Sequence, residues 1–434
     1  MGAGVLDRLL DTMLRRILRR GELTVTYPDG TVRRYGGGAE PPAPEGSNRA
    51  VTPPAPAVAV RIHDEATLRS ILRDPDLCVA EAYMDGRMTI EGDDLVGFLT
   101  LALANRSEQP AGWAVWRLVP VRSAMKRITE LNPASRSAKN VEHHYDLSGA
   151  LYELFLDRDR QYSCAYWPRA DMTLDEAQEA KKHHIARKLR IEPGMSVLDI
   201  GCGWGGLAIT LARDYGARVT GVTLSREQLA YGKARVEAEG LADRIDLQLI
   251  DYRAVKGQFD RIVSVGMFEH VGAPHYREYF RVVRERLSED GVALIHTIGL
   301  SGPPSPTSSF IQKYIFPGGA LPSLSQISTA CERERVVITD VEVLRRHYAE
   351  TLKAWRERFE ARADEARALY DDRFVRMWRY YLIASEMSFR LDGLVVFQVQ
   401  LARRFDALPI TRNYMTDPPG DEAPDQNGRT TLPE

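Results

Sequence analysis

Cysteine is scarce in this chain: four in 434 residues, at positions 78, 164, 202 and 331. They form no CxxC pair and no zinc spacing, which argues against a disulfide framework or a zinc module and points to a reduced, cytoplasmic setting. No apolar run approaches the roughly 20 residues needed to span a bilayer. The opening MGAGVLDRLLDTMLRRILRR lacks the continuous apolar core of a signal peptide. Neither sign of charge is in excess, since 58 Lys and Arg against 60 Asp and Glu leave a net charge of −2. That removes the global electrostatic case for a nucleic-acid partner. There is no internal repeat, and no His/Cys cluster suggests a metal. The remaining composition, 44% hydrophobic and 27% charged, is that of a soluble globular protein, and the length suits two or three domains.

The most informative stretch that is present is VLDIGCGWGG, Val197 to Gly206. A short apolar run ends in Gly201, Gly203 and Gly206, and the helix-compatible LAITLARDYG follows. Strand, glycine turn and helix in that order let a backbone approach a nucleotide-like cofactor closely. A dinucleotide fold would place a carboxylate about 20 residues further on, at the tip of the next strand. Here that strand, ARVTGVTLSREQ, ends in Thr223, Leu224 and Ser225, and Glu227 falls on the helix beginning near Ser225. NAD is therefore disfavoured, although Ser225 and Gln228 leave a hydroxyl and amide set for a ribose. The turn alone does not identify the cofactor.

Later segments repeat the pattern. IDLQLIDYRA ends in Asp251 and Tyr252, FDRIVSVGMFEHVG carries Glu269 and His270 after its strand, and GVALIHTIG carries His296. Polar groups thus gather beyond the carboxyl ends of successive strands, where open α/β sheets bind ligands. The expected fold is α/β, a Rossmann-like sheet with helical substrate-binding insertions, joined to a small N-terminal α+β domain.

Upstream, Leu6, Leu9, Leu10, Met13, Leu14, Ile17 and Leu18 recur at helical spacing, with Arg8, Arg15, Arg16, Arg19 and Arg20 on the polar side. The alternatives are a helix packed on its own domain or one lying on an anionic membrane surface. ELTVTYPDGTVRRY reads as a hairpin turning at Pro28, Asp29 and Gly30, and AVAVRIHD, ATLRSILRD and DDLVGFLTLALAN read as a strand and two helices. Trp113 and Trp116 suit either a lipid interface or a core. The expected boundaries are an N-terminal domain over 1–131 with a flexible Gly/Pro loop over 36–56, a polar linker over 132–140, a catalytic domain over 141–408, and a disordered tail over 409–434.

The second domain resembles the cyclopropane-fatty-acid synthase family of S-adenosylmethionine-dependent methyltransferases. The resemblance is carried by HHYDLS (His143 to Ser148), YSCAYW (Tyr162 to Trp167), LDIGCGWGG, GVTLSREQ, FDRIVSVGMFEHVG, LIHTIG, KYIFPGGALPS (Lys313 to Ser323) and HYAETL (His347 to Leu352), in order. It implies methylene transfer from S-adenosylmethionine to the cis double bond of an unsaturated phospholipid acyl chain. A cyclopropane forms through a carbocation that bound bicarbonate deprotonates. The resemblance also implies that Cys164, Glu269, His296, Tyr348 and the backbone of Ile298 hold the bicarbonate. Tyr162, Ser163, Gly201, Gly203, Thr223, Leu224, Gln228, Asp251 and Tyr252 would surround the cofactor, the glycines at its methionine part and Asp251 at its adenine amine. Tyr380 and Tyr381 resemble aromatics of the acyl groove, with a core role equally open. His270 reads as structural, and Trp204 as packing beneath the glycine turn. Cys164 and His296 each have a core reading beside the site reading. The resemblance further implies a lipid-binding N-terminal domain, a peripheral position on the inner face of the cytoplasmic membrane, and a homodimer. A product of the same family with a methyl or methylene branch, or a furan-type fatty acid, stays open.

Overall fold

The computed structural model describes residues 3–37, 56–106 and 149–416. The 132–140 linker, HHYDLS, Trp113, Trp116, most of the Gly/Pro loop and the tail beyond residue 416 lie outside the described residues. The chain divides into two compact units.

One unit comprises Thr129–Ser305, Gly318–His347 and Val395–Glu434. Its seven strands are β5 (Ser196–Ile200), β6 (Arg218–Thr223), β7 (Ile245–Leu249), β8 (Phe259–Val265), β9 (Leu287–Leu300), β10 (Val337–Val343) and β11 (Leu394–Ala402). They lie in the order β10-β11-β9-β8-β5-β6-β7. The run from β9 to β7 pairs in parallel, and β10 pairs with β11 antiparallel. The connection order reverses at β5, which has β6 on one side and β8 on the other, so a crevice opens beyond its carboxyl end. Strand β5 is buried from Val197 to Ile200 because both faces are covered. Val197 joins a core with Leu189, Leu207, Leu211 and Val263, while Leu198 and Ile200 join one with Phe268, Tyr279 and Ile295. That alternation is the two-residue period of a strand. The flanking helices start on capping residues. Thr173 and Glu176 make a reciprocal capping box for Leu174–Lys188, and Ser225 caps Arg226–Ala238.

The other unit comprises Met1–Ile128, Pro306–Pro317 and Tyr348–Leu394. Its four-stranded sheet has the order β2-β1-β3-β4, from β1 (Glu22–Thr26), β2 (Val32–Gly36), β3 (Ala57–Ile62) and β4 (Met88–Ile90). The expected hairpin joins β1 to β2, with Gly30 at φ +86° and Asp29 accepting the Thr31 N–H at 2.8 Å. A helix over Pro75–Met84, not expected from the pattern, precedes β4.

The segment between β10 and β11 groups with this unit. The helices His347–Ala361, Ala363–Leu369 and Asp372–Leu391, which lie between β10 and β11, belong almost wholly to this unit. Their partners are N-terminal. Arg373 pairs with Asp85 at 2.8 Å, Arg379 with Asp93 at 2.6 Å, and Thr100 Oγ1 donates to Met387 Sδ at 3.3 Å. A boundary drawn at a polar stretch carries no information about such pairings. Tyr380 packs on Tyr83 and Phe310, and Tyr381 on Phe316 and Trp378, so both are core residues of this unit. No helix among the described residues is long and apolar enough to cross a membrane.

The basic N-terminal helix, Ala3–Ile17, is only partly free. Leu10 and Leu18 are buried, while Arg8, Leu9, Arg15, Arg16 and Arg19 are exposed. Arg20, expected on the polar side, is buried. The reason is Asn105, whose Oδ1 accepts the Arg19 and Arg20 amides at 2.8 and 2.9 Å and whose Nδ2 donates to Arg20 O and Leu101 O. Replacing Asn105 with Ala strands two backbone N–H groups and one buried carbonyl, at about 1–3 kcal/mol for each group left unpaired. The Arg19 and Arg20 amides should then lose protection by tenfold or more in hydrogen exchange.

Candidate active site

The loop between β5 and the helix Gly206–Tyr215 turns through Gly201 at φ +84° and Gly203 at φ +54°. A Cβ at Gly201 would lie 2.9 Å from Met267 Cβ, so a side chain there is excluded by space as well as by conformation. A Cβ at Gly203 would meet nothing within 4 Å. That open space belongs to a cavity of about 150 Å³ at the carboxyl ends of β5, β6, β7 and β8. All of the residues expected around a cofactor line it: Tyr162, Ser163, Gly201, Gly203, Thr223, Leu224, Gln228, Asp251 and Tyr252. His270 and Trp204 also contribute to the wall.

Ser225 is not in that wall. Its hydroxyl accepts the Gln228 N–H at 3.2 Å as the helix cap, which removes it from the ribose set considered above. Glu227 is absent from the wall too and accepts the Gly149 N–H at 3.0 Å. Asp251 lines the cavity but is already paired, with Arg253 Nε at 2.8 Å and Nη2 at 2.6 Å. Burial works against its charge, and the Arg253 hydrogen bonds outweigh burial and hold its carboxyl below the ordinary range.

Cys164, Glu269, His296, Ile298 and Tyr348, expected to hold bicarbonate, are not among the residues that line this cavity, and Glu269 and His296 are buried. Glu269 Oε1 accepts the Ile298 N–H at 2.6 Å, and its Oε2 has no partner. Burial raises the Glu269 carboxyl to about 7, against the opposing effect of the Ile298 amide. Burial also lowers the His296 imidazole well below its usual value, so the ring is neutral. Gln398 Nε2 lies 3.1 Å from His296 Nδ1 and donates to it, which puts the ring proton on Nε2, an atom that is buried without a partner. The Gly266 N–H donates to His296 O at 2.9 Å, and Ser163 flanks Gly266. Cys164 follows Ser163, is buried, and its thiol donates to Ala165 O at 3.3 Å. Tyr348 lies in the other unit, its ring packed on Phe389 and Trp355.

Sequence reasoning missed four buried polar residues around this site: Gln178, Lys181, Asp199 and Gln398. Asp199 lines the cavity, its Oδ2 has no partner, and burial raises its carboxyl to about 7. The available signals were an acid inside an apolar strand (VLDI), and polar residues at three-residue spacing on a helix face that must be covered.

Residues 133–399 match the mycolic acid cyclopropane synthetase family, and residues 9–108 match a family described only as a domain of unknown function. The chain belongs to the mycolic acid cyclopropane synthetase family. It is 41% identical to the cyclopropane-fatty-acyl-phospholipid synthase of Escherichia coli strain K12, over 82% of this chain and 90% of that protein. It is 38% identical to a probable fatty acid methyltransferase of Pseudomonas putida, over 83% of this chain and 92% of that protein. Among solved structures, the mycolic acid cyclopropane synthase CmaA1 complexed with SAH and CTAB aligns with a TM-score of 0.59 at 35% identity. That match covers 63% of this chain and 99% of the other.

Glu269 gives a stability test. A carboxyl raised from 4.5 to about 7 on folding contributes stability that is complete below pH 4.5 and lost as pH rises through about 7. The neutral isostere in Glu269→Gln has no such loss. The ligand-free variant should therefore gain on the wild type from pH 5 to pH 8, by on the order of 3 kcal/mol at full ionisation. Parallel melting curves across that range check it, and parallel shifts of the two proteins would contradict the buried-acid assignment.

Proposed function

We propose that this enzyme is a cyclopropane-fatty-acyl-phospholipid synthase, transferring a methylene group from S-adenosylmethionine to the cis double bond of a phospholipid acyl chain. The observation that carries the reading is the glycine-walled cavity at the strand ends, lined by Tyr162, Ser163, Gln228 and Asp251, in a chain that also buries Glu269 Oε2 and His296 Nε2 without a partner. The Gly201–Gly203 turn and the open space at Gly203 fit the methionine part of the cofactor, which when bound supplies an electrophilic sulfonium methyl.

An alkene is a weak nucleophile with no acidic proton, so no base is required to activate it. The residues instead exclude water and present aromatic faces, Tyr162, Trp204 and Tyr252 lining the cavity wall. A proton must leave after methyl transfer. Cys164, Glu269, His296, Ile298 and Tyr348 are the residues assigned to hold a bicarbonate ion, which supplies the proton acceptor. The fit rests on charge and donor count. A protonated Glu269 and the Nε2–H of a neutral His296 are both donors, and both lack a partner that an oxyanion would provide. Tyr348 joins the set by family resemblance alone.

The assigned place of work is the inner face of the cytoplasmic membrane, with the chain as a homodimer. Support for the membrane comes from the N-terminal helix, which exposes Arg8, Arg15 and Arg16 beside Leu9. A second reading, in which the product carries a methyl or methylene branch, is favoured by the Pseudomonas putida relative, named a probable fatty acid methyltransferase.

The deciding experiment incubates the protein with S-adenosylmethionine, bicarbonate and vesicles of cis-monounsaturated phospholipid, and examines the acyl chains by proton NMR. Upfield ring protons are expected. Vinylidene protons would replace the synthase reading with the branched-product reading. An unaltered chain would overturn both. Glu269→Gln should retain cofactor binding and lose roughly a hundredfold or more in turnover.

A further inference from the structure

The helix Leu174–Lys188 presents Gln178, Lys181 and Lys182 on one face, at spacings of three and four residues. All three are buried, and their polar ends meet the segment 157–164 that carries Tyr162, Ser163 and Cys164. Gln178 Nε2 donates to Ser163 O at 2.9 Å and to Gln161 O at 3.2 Å. Lys182 Nζ pairs with Asp159 at 2.9 Å. Both therefore hold the scaffold of the loop.

Lys181 is different. Its Nζ donates to Gln161 Oε1 at 2.7 Å and to the Ser163 hydroxyl at 2.8 Å, and both of those residues line the cavity. A hydroxyl that accepts from an ammonium keeps its own proton for donation onward, and the charge behind it strengthens that donation. The same charge repels a cation in front of Ser163 and attracts an anion. Ser163 stands in the cavity wall beside Gly266, where a Cβ would lie 3.8 Å from its Cβ. The unpartnered Asp199 Oδ2 belongs to another cavity-lining residue and is a carboxyl oxygen able to accept from an ammonium, whose charge would in turn favour the ionised acid. One donor backed by a cation and one acid together suit a zwitterionic amino-acid group.

We propose that Lys181 is a positioning residue for the carboxylate in the amino-acid part of S-adenosylmethionine, acting through the Ser163 hydroxyl; this rests on the cofactor reading above. Lys181 makes no contact with the ligand. Around its ammonium stand Asp157, Asp159, Cys164, Lys182, Asp199 and His296. Burial lowers the ammonium to about 8, with Asp157 and Asp159 opposing that shift and Lys182 adding to it. A carboxylate placed at Ser163 stabilises the charged form. Carboxylate ligands therefore bind best below about pH 8 and weaken as Lys181 loses its proton.

The test compares S-adenosylhomocysteine, which has the amino-acid part, with 5′-methylthioadenosine, which lacks it. By calorimetry, Lys181→Met should bind S-adenosylhomocysteine about tenfold to a hundredfold more weakly and 5′-methylthioadenosine as the wild type does. Equal weakening of both ligands would reduce Lys181 to a scaffold residue and overturn the proposal, as would no change in either. Should the variant fail to fold, the wild type decides. Its affinity for the desamino analogue of S-adenosylhomocysteine should fall between about pH 7 and about pH 9.5, relative to 5′-methylthioadenosine, and a flat ratio overturns the proposal. If the wild type binds neither ligand, the cofactor reading fails and this inference with it, a result distinct from normal wild-type binding with an indifferent variant.

Discussion

Anchoring of the 157–164 segment to the helix Leu174–Lys188 is the interaction on which the site in the sheet unit depends. The segment has no strand or helix of its own from Asp157 to Cys164, yet it supplies three of the residues expected at the site. Its internal ties are local. Asp157 accepts the amides of Asp159 and Gln161, both at 2.9 Å, which folds the segment but does not place it. Placement comes from Gln178 and Lys182, whose buried amide and ammonium groups would be destabilising without those partners. The helix itself is fixed at its start by its capping box and along its apolar side by Ile185, Ala186 and Leu189 in the core.

The electrostatics of the site follow from burial. Glu269 and Asp199 are acids pushed towards neutrality, His296 is an imidazole kept neutral, and Lys181 is an ammonium weakened but surrounded by acids. Such groups are costly to bury unless something complements them. Ile298 and Gln398 complement one atom each of Glu269 and His296, leaving the other atom of each for a ligand. The cavity wall combines glycines with the aromatic residues Tyr162, Trp204 and Tyr252. Those features suit alkene methylation, in which the cofactor supplies the electrophile and the protein supplies dryness, alignment and a route for one proton.

Much was legible from local pattern. The hairpin at Asp29–Gly30, the strands β5 to β9, the glycine turn and the helices after it followed from period and turn chemistry, which depend only on neighbours in sequence. The residues expected at the cofactor fell on one cavity wall because strand ends in a parallel sheet are neighbours by construction. Ser225 was misread, since a hydroxyl at a helix start serves the helix first. No local pattern shows that Arg373 and Arg379 find their partners nearly 300 residues away in sequence.

Amino-acid order by itself determined the element types, the position of the tight turn and membership of a recognisable motif series, all of which are set by short-range sterics and apolar period. Tertiary structure alone decided which polar groups are paired and which are left open. Asn105 closes on Arg20, Gln398 on His296, and Lys181 on Ser163, each across a long stretch of chain. Hydrogen-bond satisfaction in a buried site is a property of three-dimensional neighbours. It is also what makes an unpartnered carboxylate or imidazole nitrogen meaningful, since water is not there to meet it.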